Sequence, residues 1–480
     1  MNLSARSISG ARWQGIAQLL EVALGTIALI ILARGVSPDL YGIVALGIIA
    51  TTTAALLLIT PFQSALIALR MDSRSAWDSL MTFAVAPSLL VYLISVPIVV
   101  AADLPSDQLL VWLVVGASLP LTGFASIGVG VLQQGLGFRS SGVVRATAAL
   151  VGNGVPICLA FGGNAFLGLA LRVPLVPLVQ FLGAVAFIRW VPRPRLDRGL
   201  FREAFSYIKG IAGFNIINQA SRKGDDLLVA LVLGPVSLGV YSLAYRNLEL
   251  AVSQVGQLAR SVMFPTLVRI DDNARFAAAY IRGQRCLVWA AMPAAILMVA
   301  LGKTATPIIF GSQWAPAGSL VQIFGAVAAI QIISTQTGTI YTARLATGLM
   351  LRVGLITTPV LLLGVLGGVF YGARGAALGY LCACLILFLP VQKIAGNLVG
   401  LSLREMLGGL KLQLVLALLF TGLGSLAVSQ THNPGVVGVA LLATVLACGY
   451  WAACVGVSSE LRSDVSSLLL SRKAPSESID

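Results

Sequence analysis

Residues 30–46 read IILARGVSPDLYGIVAL, and the reading of this stretch decides the fold. An apolar helix ends at its left, a short turn carries Pro38, and Gly42 opens a second apolar helix. Each of the flanking runs, about 12–34 and 38–60, has the length of roughly 20 residues that crosses a ~30 Å hydrocarbon core as helix. The pattern recurs to residue 457 and yields about fourteen spans. Irregular backbone and open sheet cannot face lipid, and the alternation of a barrel is absent, so the spans are helices. Composition agrees: 58% of the chain is hydrophobic and 10% charged, where a soluble domain carries roughly 25% charged residues. The expected fold class is an all-α polytopic membrane protein.

A formal net charge of +14 invites a nucleic-acid partner, but the positions of the charges exclude it. About 24 of the 32 Lys and Arg fall on the side of the N-terminus, and about three (Arg34, Lys303, Arg374) on the other. That asymmetry places both termini in the cytoplasm and accounts for the basic charge without nucleic acid. The first apolar run is too long for a cleaved leader and leads directly into the second span. Six cysteines inside spans and one histidine, His432, leave no material for disulfides, zinc or histidine catalysis. Gly-rich stretches such as Leu366-Gly-Gly-Val lack the following GK[ST] of a phosphate loop. No cofactor is expected and the chain is not expected to be an enzyme.

The most polar break, Arg189-Trp-Val-Pro-Arg-Pro-Arg-Leu-Asp-Arg198, divides the spans six against eight. Residues 227–243, LLVALVLGPVSLGVYSL, overlay residues 30–46 so that Pro38 meets Pro235 and Gly42 meets Gly239. A repeat that keeps its orientation belongs to the parallel type of transporter repeat. The expected organisation is an N-terminal lobe at 1–188, a basic cytoplasmic linker at 189–208 and a second lobe at 209–393. Two further spans occupy 394–457, and a cytoplasmic tail 458–480.

Charged residues within spans are the anomaly. Asn215, Asn218, Arg222 and Asp225 share one face of the seventh span, with Gln219, Lys223 and Asp226 beside them. Four ionisable residues facing lipid would cost on the order of 10 kcal/mol. The eighth span repeats the theme with Arg246, Glu249, Ser253, Gln257 and Arg260, and the first carries Gln14, Gln18 and Glu21 with Gly25 a turn beyond. Pairing within the bundle, Arg222 with an aspartate or Arg246 with Glu249, is one account. A water-filled central cavity is the other. Arg222, Lys223, Arg246, Arg260 and Arg172 exceed what pairing requires, and guanidinium forks match phosphate oxygens, so an anionic substrate is expected. Glu21, Asp225, Asp226 and Glu249 are the acids deep enough to carry a coupling ion, Na⁺ or a proton. Glu21 stands first among them, since no basic residue lies within a turn on its own helix.

The stretch ARGVSPDLYG at 33–42, Asp225-Asp226 with LGPVSLGVYSLAYR ending at Arg246, Phe264-Pro265, and IFGSQW at 309–314 resemble Wzx-like polysaccharide flippases of the MOP exporter superfamily. The resemblance covers nearly the whole chain. It implies a two-lobed, V-shaped transporter that alternates between inward- and outward-open forms in a bacterial inner membrane. It also implies a lipid-linked substrate, an undecaprenyl-pyrophosphate oligosaccharide bound for exopolysaccharide, O-antigen or capsule. Membrane lipid, a polysaccharide polymerase and glycosyltransferases are the implied partners. A multidrug exporter of the MATE type would want a cavity dominated by acids. A membrane glycosyltransferase would want long loops bearing catalytic acids, and the longest loops here have about 20 residues.

Overall fold

The computed structural model describes residues 3–101, 105–134, 138–259, 263–431 and 435–470, and the regular structure among them is helical. Thirteen helical segments among the described residues are long and apolar enough to cross a membrane. Large aliphatic side chains such as Leu418 (75% exposed), Ile386 (67%) and Leu363 (64%) line the outside. Water would not tolerate so many, and lipid does. The chain divides into two compact units, Met1–Gly239 and Val240–Asp480.

The first unit contains α1 (Leu3–Arg34), α2 (Pro38–Leu58), α3 (Thr60–Ala68), α4 (Arg74–Ala101), α5 (Ser106–Gly116), α6 (Ser118–Gln134), α7 (Phe138–Phe161) and α8 (Ala165–Ile188). It also takes in most of α9 (Arg198–Leu258). Helices α2 and α3 form one span broken at Ile59, ahead of Pro61, and α5 and α6 another broken at Ala117. At 61 residues, α9 would reach about 90 Å if straight, three times the hydrocarbon thickness. It is not one rod. Gly234 (φ 78, ψ −178) interrupts it just before Pro235, and the two spans expected at 209–233 and 236–263 lie on either side. The first copy of the repeat breaks at the matching place, where Ser37 is extended (φ −72, ψ 155) ahead of Pro38.

The two copies also touch within this unit. A Cβ built on Gly42 would overlap the Pro235 carbonyl, and one on Gly239 would overlap the Pro38 carbonyl. The contact is reciprocal, each glycine facing the other copy's proline carbonyl, and only glycine leaves room for it.

The segment between α8 and α9 is held in place. Trp190, 2% exposed, donates its Nε1–H to Asp78 Oδ1 at 2.9 Å and meets Trp77 edge-on. The backbone N–H of Arg193 reaches the same Oδ1 at 3.0 Å, and that of Arg195 reaches Thr82 Oγ1 at 3.0 Å. Phe201, Ala204 and Ile208 of α9 then join Phe62, Phe83 and Leu80 in one apolar cluster.

The second unit holds α10 (Phe264–Leu267), α11 (Asn273–Phe310), α12 (Ala315–Ser334), α13 (Thr337–Ala343), α14 (Thr347–Val369), α15 (Gly372–Asn397), α16 (Leu403–Gly408), α17 (Lys411–Gln430), α18 (Gly435–Val457) and α19 (Ser459–Leu470). Helices α14 and α15 approach through Gly364, Gly368, Gly375 and Gly379, where an added Cβ would strike a carbonyl of the facing helix. Lipid provides no hydrophobic drive between helices, so close backbone approach carries the packing. At the other end of the unit α19 is clasped to α11. Arg285 meets Glu460 and, at 3.0 Å, Asp464, and Arg282 meets Asp464 at 3.5 Å.

Candidate functional site

Gln18, Glu21 and Gly25 sit three and four residues apart, so they form one stripe along α1. Helices α7 and α8 pack on α1 and bring two arginines to it. Arg145 places one Nη2 2.9 Å from Gln18 Oε1 and 2.7 Å from Glu21 Oε2. The Arg145 side chain is 26% exposed and that of Glu21 43%. One turn along, Arg172 Nη2 donates to the Gly25 carbonyl at 3.3 Å. A Cβ at residue 25 would stand only 3.2 Å from that nitrogen, so the glycine makes room for the guanidinium. The first unit therefore lines up two half-buried guanidiniums and one carboxylate over roughly 10 Å of helix. Such a stripe offers forked N–H donors to an anion and an acid whose partner can change.

Of the expected site residues, Gln18, Glu21 and Arg172 are brought together here. No basic residue lies within a turn of Glu21 on its own helix, and its cation, Arg145, comes instead from a neighbouring one. Arg145 lies inside the span Arg139–Phe161 and is not among the site residues expected from sequence. Its position nearly two turns into an apolar run was the available signal.

The polar residues of α9 divide by role. Asn215, 7% exposed, donates to the Leu56 carbonyl at 2.9 Å, and Gln219 donates to Thr53 Oγ1 at 2.8 Å. Leu56 lies in the last turn of α2, where carbonyls have no partner in their own helix, so Asn215 caps α2. Lys223 pairs with Asp226 across one turn at 3.2 Å, and Asp225 and Asp226 are both buried. The side chains of Gln14, Asn218 and Arg222 lie outside the described residues, as do Arg260 and His432 entirely. In the second unit Arg246, Glu249 and Gln257 are half-buried. No ion pair joins Arg246 to an acid among the described residues.

Helical spans in this number, with arginines and acids half-buried along them, define a multi-pass membrane protein. The polysaccharide biosynthesis protein family matches residues 31–319, more than half of the chain, and the chain belongs to that family. It is 23% identical to the lipopolysaccharide biosynthesis protein WzxC of Escherichia coli (strain K12), over 83% of each chain. It is 24% identical to the succinoglycan biosynthesis transport protein ExoT of Rhizobium meliloti (strain 1021), over 63% of this chain and 62% of that protein. Among solved structures, the lipid II flippase MurJ in an inward closed conformation matches with a TM-score of 0.68 at 13% identity, covering 92% of this chain and 98% of MurJ. An inward-facing MATE family multidrug transporter of the MOP superfamily matches at 0.58 with 16% identity, covering 79% and 96%. The expected Wzx-like membership and all-helical MOP fold are both met.

Proposed function

We propose that this chain is a flippase for an undecaprenyl-pyrophosphate-linked oligosaccharide, serving exopolysaccharide, O-antigen or capsule assembly. It sits in the bacterial inner membrane with both termini cytoplasmic, works by alternating access and catalyses no chemical reaction. The lobes are 1–188 and 209–393, joined by 189–208 and followed by the spans of 394–457 and the tail 458–480.

The observation that carries this reading is the placement of Arg145 and Arg172 along one face of α1. A pyrophosphate cannot cross hydrocarbon without charge compensation, and guanidiniums held part-way into the spans provide it with directed hydrogen bonds. Membership of a polysaccharide biosynthesis family supports a glycan as the attached cargo. Arg222, Lys223, Arg246 and Arg260 are further contacts for the pyrophosphate, with Asn218 and Gln257 as polar neighbours. Glu21, Asp225, Asp226 and Glu249 are the candidate acids for a Na⁺ or proton gradient. Glycosyltransferases supply the cargo and a polymerase consumes it.

Proteoliposomes loaded with a fluorescent lipid-linked oligosaccharide test the reading. The wild type should move the probe between leaflets, and Arg172→Ala should reduce the rate at least tenfold. Arg172→Lys should recover part of it, since charge returns without the fork. Equal rates for a probe whose pyrophosphate is replaced by a neutral linker would end the proposal.

A further inference from the structure

The segment 189–202 is more than a positively charged connection. A loop that only sets topology needs charge and nothing else, whereas this one is built. Trp190 is sunk into the protein, and two backbone N–H groups are tied to Asp78 and Thr82. The start of α9 then turns Phe201, Ala204 and Ile208 inward. On the outer side Arg189, Arg193, Arg195, Arg198 and Arg202 are exposed. Between them Val191 is 74% exposed and Leu196 72%. Two acids beside the arginines, Asp78 and Asp197, already accept N–H donors. Asp78 receives Trp190 and Arg193 N–H, and Asp197 accepts from the Gly199 and Leu200 N–H groups. The guanidiniums of Arg193, Arg195 and Arg198 have no partner among the described residues.

The position of the segment adds the last constraint. The candidate span of α8 ends at Ile188 and that of α4 begins at Arg74. A strap that starts one residue beyond one span and is bound to the first turns of another lies at the level of the lipid headgroups. Aliphatic side chains alternating with arginines at that depth fit acyl-chain ends and phosphates together.

We propose that the strap 189–202 is a docking surface for anionic phospholipids of the adjoining leaflet, with Arg193, Arg195 and Arg198 taking the phosphates and Val191 and Leu196 entering the acyl boundary. Binding there holds the strap, and with it the start of α9, against the membrane.

The test uses the full-length protein in nanodiscs of pure phosphatidylcholine and of phosphatidylcholine with phosphatidylglycerol. The wild type should melt several degrees higher with the anionic lipid, and 0.5 M salt should remove most of that gain. A variant carrying Arg193→Gln, Arg195→Gln and Arg198→Gln should melt like the wild type in phosphatidylcholine and lose at least half of the gain in phosphatidylglycerol. A control carrying Arg352→Gln, Arg404→Gln and Lys411→Gln, all exposed in the second unit, should keep it. Equal gains in the strap variant and the wild type would overturn the proposal. So would an equal loss in the control, which would mark a general charge effect.

Discussion

Two polar stretches within spans, that of α1 and that of α9, solve the same electrostatic problem in different ways. On α9 one ion pair lies within the helix, Lys223 reaching Asp226 on the next turn at 3.2 Å. On α1 nothing local is available, and the partner of Glu21 arrives from α7 at 2.7 Å. A pair on one helix moves with that helix and stays paired however helices rearrange. A pair between helices can be opened by a shift of one against the other. Under the proposed function, charge would be exchanged at the α1 stripe, whereas a pair such as Lys223–Asp226 offsets the cost of charge on its own helix.

The largest expected effect breaks the interhelical pair. Arg145→Ala should lower transport at least tenfold and cost stability through the uncompensated Glu21. Adding Glu21→Gln should return part of the stability but none of the transport. A double-mutant cycle on melting temperature and flipping rate reads both, with a coupling of about 1 kcal/mol for so exposed a pair. If Lys223→Ala with Asp226→Asn lowers transport as much as Arg145→Ala does, the division of roles between the two stretches collapses.

A smaller effect concerns packing. Gly379→Ala forces a methyl against the Gly364 carbonyl across α14 and α15, and should lower the melting temperature by several degrees. Gly367→Ala, on the facing helix α14, meets open space and should leave it unchanged, so a single thermal scan of both variants sharpens the contrast.

The smallest lies outside the spans. The Ser402 hydroxyl and backbone N–H hold the Glu405 carboxyl below its usual range, closing a capping box on α16. A depressed carboxylate stabilises the fold above its ordinary pKa, and that contribution fades as pH falls through the lowered value. Ser402→Ala should shift the melting temperature by less than ~2 °C near neutral pH, and by less still once the carboxyl is protonated, when only the Glu405 N–H bond to the Ser402 hydroxyl is left to lose.

Residues whose environment is their own helix were legible beforehand. The spans followed from runs of apolar residues and the break in α9 from Gly234-Pro235; pairing along α9 was expected of Arg222 with an aspartate, and Lys223 makes such a pair with Asp226. The repeat was legible too, through Pro38/Pro235 and Gly42/Gly239, although not the fact that these glycines meet each other's helix. Asn215 and Gln219 looked like cavity residues by their spacing, but each bonds to α2. The segment at 189–198 reads as a basic linker, because charge and proline mark a loop and say nothing of the Asp78 that receives Trp190.

By itself the chain determined that it lives in a membrane, that it crosses it many times and where its two copies begin. These are properties of runs and spacings, set by the helical pitch and the thickness of hydrocarbon. Only the tertiary structure decided that Arg145 belongs to Glu21 and Arg172 to Gly25. Those contacts join residues 124 and 147 positions apart. In a medium that neither solvates charge nor drives apolar faces together, which helix supplies a partner is settled by how closely backbones can approach, and that depends on every helix in the unit at once.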